Sequence, residues 1–204
     1  QESLHVSTRL MEERLEANLR LQEQLHDMAH RDSLTGLNNR RILESISARL
    51  IDTADAIGSS LVAVSLDLDH FKRLNDTYGH KAGDDALVAI AGVLTRSLRP
   101  GEVAVRMGGE EFLVLMPNAG MEEARARTEA WRAVIRSQPV MTSQGAAEIT
   151  FSAGISSYPE TAASFEQLVQ QADKAVYSAK RAGRNRVVLV RPPGEAGDGR
   201  VRSA

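Results

Sequence analysis

The sequence predicts an α/β (α+β) domain, a mixed central β-sheet surrounded by helices, preceded by one long helix. Three observations lead there. Segments of helical period alternate with short apolar runs of strand length, the pattern of sheet and helices sharing one core. Two short strands flank Gly108-Gly109, a hairpin signal within that alternation. Residues 3–30 are rich in Leu, Glu, Gln and Arg and contain no Gly or Pro, so they read as one uninterrupted helix.

In that first helix Leu4, Met11, Asn18 and Leu25 share one heptad position, and Leu21 and Met28 share its partner. Ser7 and Arg14 interrupt the partner row, and Leu15 and Leu19 lie beside it. Two readings stay open: a parallel dimer helix in which Asn18 fixes register at a cost in stability, or an amphipathic helix lying on the domain. Asn39 to Ala56 reads as a helix with Ile42, Leu43, Ile46 and Leu50 on one side. Ser60 to Leu68 is a strand of buried character, and a helix start is expected at His70-Phe71-Lys72. Gly83 to Ser97 is expected to be helical, Val103–Met107 and Glu111–Met116 to be hairpin strands, and Met121–Ser137 a helix. Ile149–Tyr158 reads as a strand, Phe165–Ala182 as a helix stopped near Gly183, and Arg186–Val190 as a last strand. The expected domains are a signalling helix over 1–30, a catalytic domain over 31–190, and a flexible Pro- and Gly-containing tail over 191–204.

Bulk properties narrow the chemistry. The 204 residues are 42% hydrophobic and 25% charged, ordinary for a globular domain. A formal net charge of -2 gives no electrostatic footprint for nucleic acid. The absence of cysteine excludes disulfides, thiolate nucleophiles and Cys-based zinc sites. No apolar run is long enough to span a membrane, so this segment is expected to make no membrane contact itself. The chain starts at Gln1 inside a helical pattern, which suggests a piece of a longer protein.

Asp67 and Asp69 end the apolar Ser60–Leu68 run and share a face by strand alternation. A carboxylate at a strand end beside a helix N-terminus suits Mg²⁺ and phosphate. For Asp69 an N-cap is the simpler expectation. Asp67 is harder to explain structurally, because it interrupts apolar sequence. Glu110 and Glu111 follow the glycine pair, and adjacent acids at a tight turn are often only solvated surface. Beside Asp67 they could close a two-metal cluster.

Met107-Gly108-Gly109-Glu110-Glu111-Phe112 resembles the signature of the GGDEF family of diguanylate cyclases, in its GGEEF form. Three further blocks resemble the family in the same order. Asp32-Ser33-Leu34-Thr35-Gly36-Leu37-Asn38-Asn39-Arg40-Arg41 is similar to its opening segment. Asp67-Leu68-Asp69-His70-Phe71-Lys72, with Asn75-Asp76-Thr77-Tyr78-Gly79-His80 and Gly83-Asp84, is similar to its second. Ala172-Asp173-Lys174-Ala175, Tyr177, Ala179-Lys180 and Gly183-Arg184-Asn185 are similar to its closing segment. The resemblance covers about residues 31–190 and implies a βαββαβ-type core like that of palm polymerases and nucleotide cyclases.

It also implies roles. Asp67, the Leu68 carbonyl, Glu110 and Glu111 would hold Mg²⁺ or Mn²⁺. Glu110 would accept the proton of the attacking hydroxyl, with Glu111 in the same cluster, and Lys72 would stabilise transition-state charge. Phe71, Asn75, His80 and Asp84 would bind the substrate GTP. Asp84 suits guanine, whose N1–H and N2–H₂ donate where adenine offers no N1 donor. Without the resemblance, Asp84 reads as an N-cap, Asn75 as a turn residue and Lys72 as a solvated lysine. Lys180 and Arg184 would contact the terminal phosphates, although cations at a helix end also favour its dipole.

The implied reaction condenses two GTP into cyclic di-GMP across a homodimer. An upstream sensory domain in the full-length protein would supply the signal. The implied location is cytoplasmic, alone or as the cytoplasmic part of an inner-membrane receptor. The rival reading is an inactive module that binds GTP or cyclic di-GMP as a sensor. One departure stands out. The family's inhibitory RxxD motif is replaced by Arg99-Pro100-Gly101-Glu102, so weak or absent product inhibition is expected, a Pro-Gly turn being the plain alternative.

Overall fold

The computed structural model describes residues 11, 14–18, 20 and 29–192. Residues 11, 14–18, 20, 29 and 30 are helical, and Met11 and Leu15 are exposed on this single chain. Leu4, Leu21, Leu25 and Met28 of the proposed seam, and residues 193–204 of the expected tail, lie outside the described residues.

The remaining elements run β1 (Asn38–Asn39), α1 (Ile42–Ile57), β2 (Leu61–Leu68), α2 (Phe71–Tyr78), α3 (His80–Ser97), β3 (Val103–Gly108), β4 (Glu111–Pro117), α4 (Met121–Ser137), β5 (Val140–Thr142), β6 (Gly145–Ala147), β7 (Phe151–Tyr158), α5 (Phe165–Arg181) and β8 (Val187–Leu189). Six strands form one mixed sheet in the order β1-β3-β4-β2-β7-β8, parallel at its two outer pairings and antiparallel within. The predicted fold class is therefore observed.

Strand β2 lies at the centre because its sequence allows nothing else. From Leu61 to Leu66 every residue is buried, and both faces are covered. Val62, Val64, Leu66 and Leu68 pack with Leu74 of α2, Leu87, Ile90 and Leu94 of α3, and Trp131 and Ile135 of α4. Leu61 and Ala63 face the opposite layer, with Ile46 and Ala54 of α1 and Leu168 and Ala172 of α5. Asp67 continues this second row.

Three expectations are corrected. Helix α3 begins at His80, not Gly83, because the chain breaks at Gly79 (φ 84°) and resumes helix at once. The small hairpin β5–β6 was not expected: its strands are three residues each and carry no clear alternation. The last long strand enters the sheet at Phe151, with Ile149 and Thr150 leading into it.

Candidate active site

The register of the antiparallel β2–β4 pair sets Asp67 directly opposite Glu111, so both side chains leave the same face of the sheet. The β3–β4 turn takes up Gly108 (φ 143°) and Gly109 (φ 53°), backbone that side-chain-bearing residues adopt at a cost. Glu110 sits in this turn, and its carbonyl accepts a hydrogen bond from the Leu68 amide at 3.3 Å. The two segments are thus stitched together at the strand ends.

Arg106 braces the turn from behind. Its guanidinium donates to the Gly109 carbonyl at 2.8 and 3.1 Å and to both Asp32 carboxylate oxygens at 3.1 and 3.2 Å. Asp32 also accepts from the Thr35 amide and hydroxyl. Partial burial raises the Asp32 pKa, but the Thr35 bonds and the Arg106 charge outweigh it and hold the carboxyl below its usual range.

Helix α5 closes the site from its own side. It can do so because Gly154 of β7 has no side chain: a Cβ there would lie 2.1 Å from the Ala172 carbonyl oxygen. The helix backbone therefore rests on the sheet. Lys180 reaches Asp67 Oδ2 at 2.6 Å, and Ser65 donates to Asp173 Oδ1 at 2.6 Å. Asp173 is a site residue for which the sequence reading gave no role. Its spacing of seven residues from Lys180, two helical turns, was the available signal.

The acids perturb one another. Burial is the largest influence on Asp67 and raises its pKa; the neighbouring Asp69 charge adds to this, and Lys180 and Arg184 only partly oppose it. Burial likewise raises Glu111, reinforced by the charges of Asp67, Asp173 and Glu110 and opposed by Lys180. Asp67 Oδ1 is buried and has no hydrogen-bond partner among the described residues. An orphaned anionic oxygen among carboxylates fits a hard divalent cation. Among the described residues no three His, Cys, Asp or Glu side chains form a complete cage.

Helices α2 and α3 present the other expected residues. His70, not Asp69, precedes α2, in left-handed backbone (φ 58°) and without a side-chain cap. The N-cap expected for Asp69 is therefore wrong. Its buried carboxylate instead accepts from the Thr150 hydroxyl, the Ser152 hydroxyl and the Asn185 amide. Asn75 Oδ1 is buried with no hydrogen-bond partner among the described residues, packed against Gly83 of the neighbouring helix. It does not close a turn through that atom. Asp84 is exposed one turn inside α3, so it is no N-cap either. Lys72 is exposed in the first turn of α2 and His80 opens α3, also exposed. A cavity of about 570 Å³ lies between α2 and residues 146–150, lined by Leu68, Phe71 and Leu74 but by none of the three acids 67, 110 and 111.

The Arg99–Glu102 segment is self-satisfied. Glu102 accepts from Arg127 at 2.5 and 2.7 Å and from the Arg99 amide at 2.8 Å, while the Arg99 side chain pairs with Glu123. Burial raises the Glu102 pKa, and the Arg127 and Arg99 contacts more than reverse this.

Known proteins match this sequence and fold. Diguanylate cyclase DgcP of Pseudomonas aeruginosa is 42% identical over 156 residues, which is 76% of this chain and 23% of DgcP. The solved coiled coil and GGDEF domain of DgcB from Caulobacter crescentus, in complex with c-di-GMP, superposes with a TM-score of 0.80 at 31% identity, covering 93% of this chain and 98% of that one. Diguanylate cyclase SiaD of Pseudomonas aeruginosa, solved with its activator SiaC, gives a TM-score of 0.72 at 35% identity, covering 93% and 75%. The chain spans less than half the length of the curated relatives it matches. The family model described as "Diguanylate cyclase, GGDEF domain" matches residues 29–186, and the chain belongs to that family.

Proposed function

We propose that this domain is a diguanylate cyclase that condenses two GTP molecules into cyclic di-GMP and two pyrophosphates. The observation that carries this reading is the Asp67–Glu111 cross-strand pair, with Asp67 Oδ1 unpartnered and Lys180 at 2.6 Å from the other oxygen. Asp67, the Leu68 carbonyl, Glu110 and Glu111 would hold Mg²⁺ or Mn²⁺. Such ions, when bound, neutralise charge on the transferring phosphorus and acidify the attacking hydroxyl.

The chain's own residues bind, orient and take the proton. The 3′-oxygen of one GTP bonds to the α-phosphorus of the other, the α–β bridging P–O bond breaks, and pyrophosphate leaves. Glu110 accepts the hydroxyl proton. Lys72 supplies positive charge where phosphoryl charge develops, and Lys180 and Arg184 hold the terminal phosphates. Asn75 and Asp84 receive the guanine edge, with Phe71 and His80 completing substrate contact. Desolvated acceptors left unpaired by a wrong base cost about 1–3 kcal/mol each.

Each domain holds one GTP, so two copies must face each other for two reciprocal attacks. The N-terminal helix is proposed to tether them as a coiled coil and raise their effective concentration, under control of a sensory domain elsewhere in the full protein. Incubation with GTP and Mg²⁺ followed by mass spectrometry tests the reading. Cyclic di-GMP with two equivalents of pyrophosphate supports it. GTP left intact at high protein concentration refutes it.

A further inference from the structure

The turn that carries Arg184 is held in an unfavourable conformation from two sides. After α5 ends, Gly183, Arg184 and Asn185 adopt φ of 112°, 63° and 45° in succession. Only the first is glycine, so two residues with side chains sit in left-handed backbone that they rarely adopt. Such geometry persists only where surroundings over-determine it.

Those surroundings are specific. Asp69, 9% exposed, accepts from the Asn185 amide at 2.9 Å through Oδ2. The same carboxylate is fixed by the Thr150 hydroxyl at 2.8 Å and the Ser152 hydroxyl at 2.7 Å, and the Asp69 amide donates to the Thr150 carbonyl at 2.8 Å. From α4, Arg132 donates to the Asn185 carbonyl at 3.2 Å and to its Oδ1 at 3.0 Å. The Ala153 amide donates to the Arg186 carbonyl at 2.9 Å, fastening the far end of the turn to β7. The Arg184 side chain itself is exposed, with no hydrogen bond or ion pair among the described residues, yet its charge is felt at Asp67.

We propose that Asp69 and Arg132 are positioning residues that hold the left-handed 184–185 turn so that Arg184 is aimed at the phosphates lying against the Asp67 edge. This rests on the reading of Arg184 as a phosphate ligand. Asp69 sits two residues beyond Asp67, so one strand end sets both the acid of the site and the pose of its distal cation. Arg132 adds a second restraint from the opposite layer of the fold, away from the acids.

The test is a double-mutant cycle on calorimetric affinity for a non-hydrolysable GTP analogue with Mg²⁺, with thermal unfolding recorded for each variant. Arg184→Ala is expected to weaken binding about tenfold, the loss of a charged hydrogen bond. Asp69→Ala and Arg132→Met should each lose a similar amount, and neither should add to the loss of Arg184→Ala in the double variant. Asp69→Asn should recover most of the affinity, since its amide oxygen can accept from the Asn185 N–H while Ser152 accepts from the amide nitrogen. A purely structural role would lower the unfolding midpoint and leave losses that multiply with Arg184→Ala; that result, or unchanged affinity in Asp69→Ala and Arg132→Met, overturns the proposal. Should Asp69→Ala fail to fold, the Arg132 cycle decides alone, because Arg132 reaches the turn from the surface of α4. Full affinity in Arg184→Ala itself would instead remove the phosphate-ligand reading on which the proposal stands.

Discussion

Replacing Gly83 by alanine should weaken substrate recognition at a modest cost in stability. Gly83 is the fourth residue of α3 and is buried against α2. A Cβ there would lie 1.9 Å from Asn75 Oδ1, 2.9 Å from its Cγ and 3.1 Å from Phe71 Cζ. Asn75 must therefore swing its amide away. The stability terms oppose each other: alanine in a helix interior gains about 1 kcal/mol over glycine, and forcing an extra methyl into packed space costs about 1–3 kcal/mol. The net change should stay within about 2 kcal/mol, which shifts the midpoint by only about 4–8 °C in a chain of this size.

Binding suffers more. If Asn75 meets guanine, its displacement forfeits a hydrogen bond worth about 1–3 kcal/mol in a desolvated site, or roughly 5- to 150-fold in KM. Steady-state kinetics with GTP, beside differential scanning calorimetry, measures both. Asn75→Ala should show the same KM, and Gly83→Ala should cost less stability in that background than in wild type, because the nearest obstacle is gone and only the 3.1 Å approach to Phe71 Cζ opposes the helix gain. Wild-type KM in Gly83→Ala would refute the reasoning.

Four other outcomes follow. Glu111 has a raised folded pKa, so its stabilising proton is fully held below the ordinary carboxylate range and is lost as pH rises through the raised value. In chelator at neutral pH, Glu111→Gln should therefore unfold at a higher temperature than wild type, with the gap closing on acidification, and should lose turnover; a lower midpoint at neutral pH would contradict this. Glu102→Ala strands Arg127, whose side chain is 14% exposed, and should cost about 3 kcal/mol by denaturant titration. With Glu102 and Arg99 already engaged, cyclic di-GMP should bind weakly by calorimetry, and tight binding abolished by Arg99→Ala would contradict that. Removing residues 1–30 should make product formation steeply dependent on protein concentration, and unchanged activity at low concentration would count against the tether.

How much was legible in advance depended on whether a residue's role is local. The buried β2, the hairpin at Gly108-Gly109 and the α4 and α5 spans were readable because apolar period and turn glycines act within a few residues. Asp67 stood out because it breaks an apolar run, whereas its grouping with Glu110 and Glu111 came from the family resemblance; the register sets Asp67 opposite Glu111. Asp69 was misread because its partners, Thr150, Ser152 and Asn185, are 81, 83 and 116 residues away. Proximity to a helix start suggested a cap, but the left-handed His70 takes that place. The Lys180–Asp67 and Ser65–Asp173 contacts depend on how α5 lies across Gly154, a packing fact of which the seven-residue Asp173–Lys180 spacing reveals only a shared helix face. The closure of Glu102 by Arg127 is likewise a contact between elements. It supplies a stronger reason for weak product binding than the replacement of Asp by Glu in the motif alone.

The central claim is that the acids at 67, 110 and 111 share divalent cations over a bound triphosphate. Crystals grown with Mn²⁺ and a non-hydrolysable GTP analogue, examined at the manganese absorption edge, test it most directly. An anomalous peak within bonding distance of Asp67 Oδ1 and of a glutamate from the 110–111 pair is predicted, with Lys180 moved onto phosphate. Nucleotide bound with Lys180 still paired to Asp67, and no manganese at these carboxylates, would contradict it.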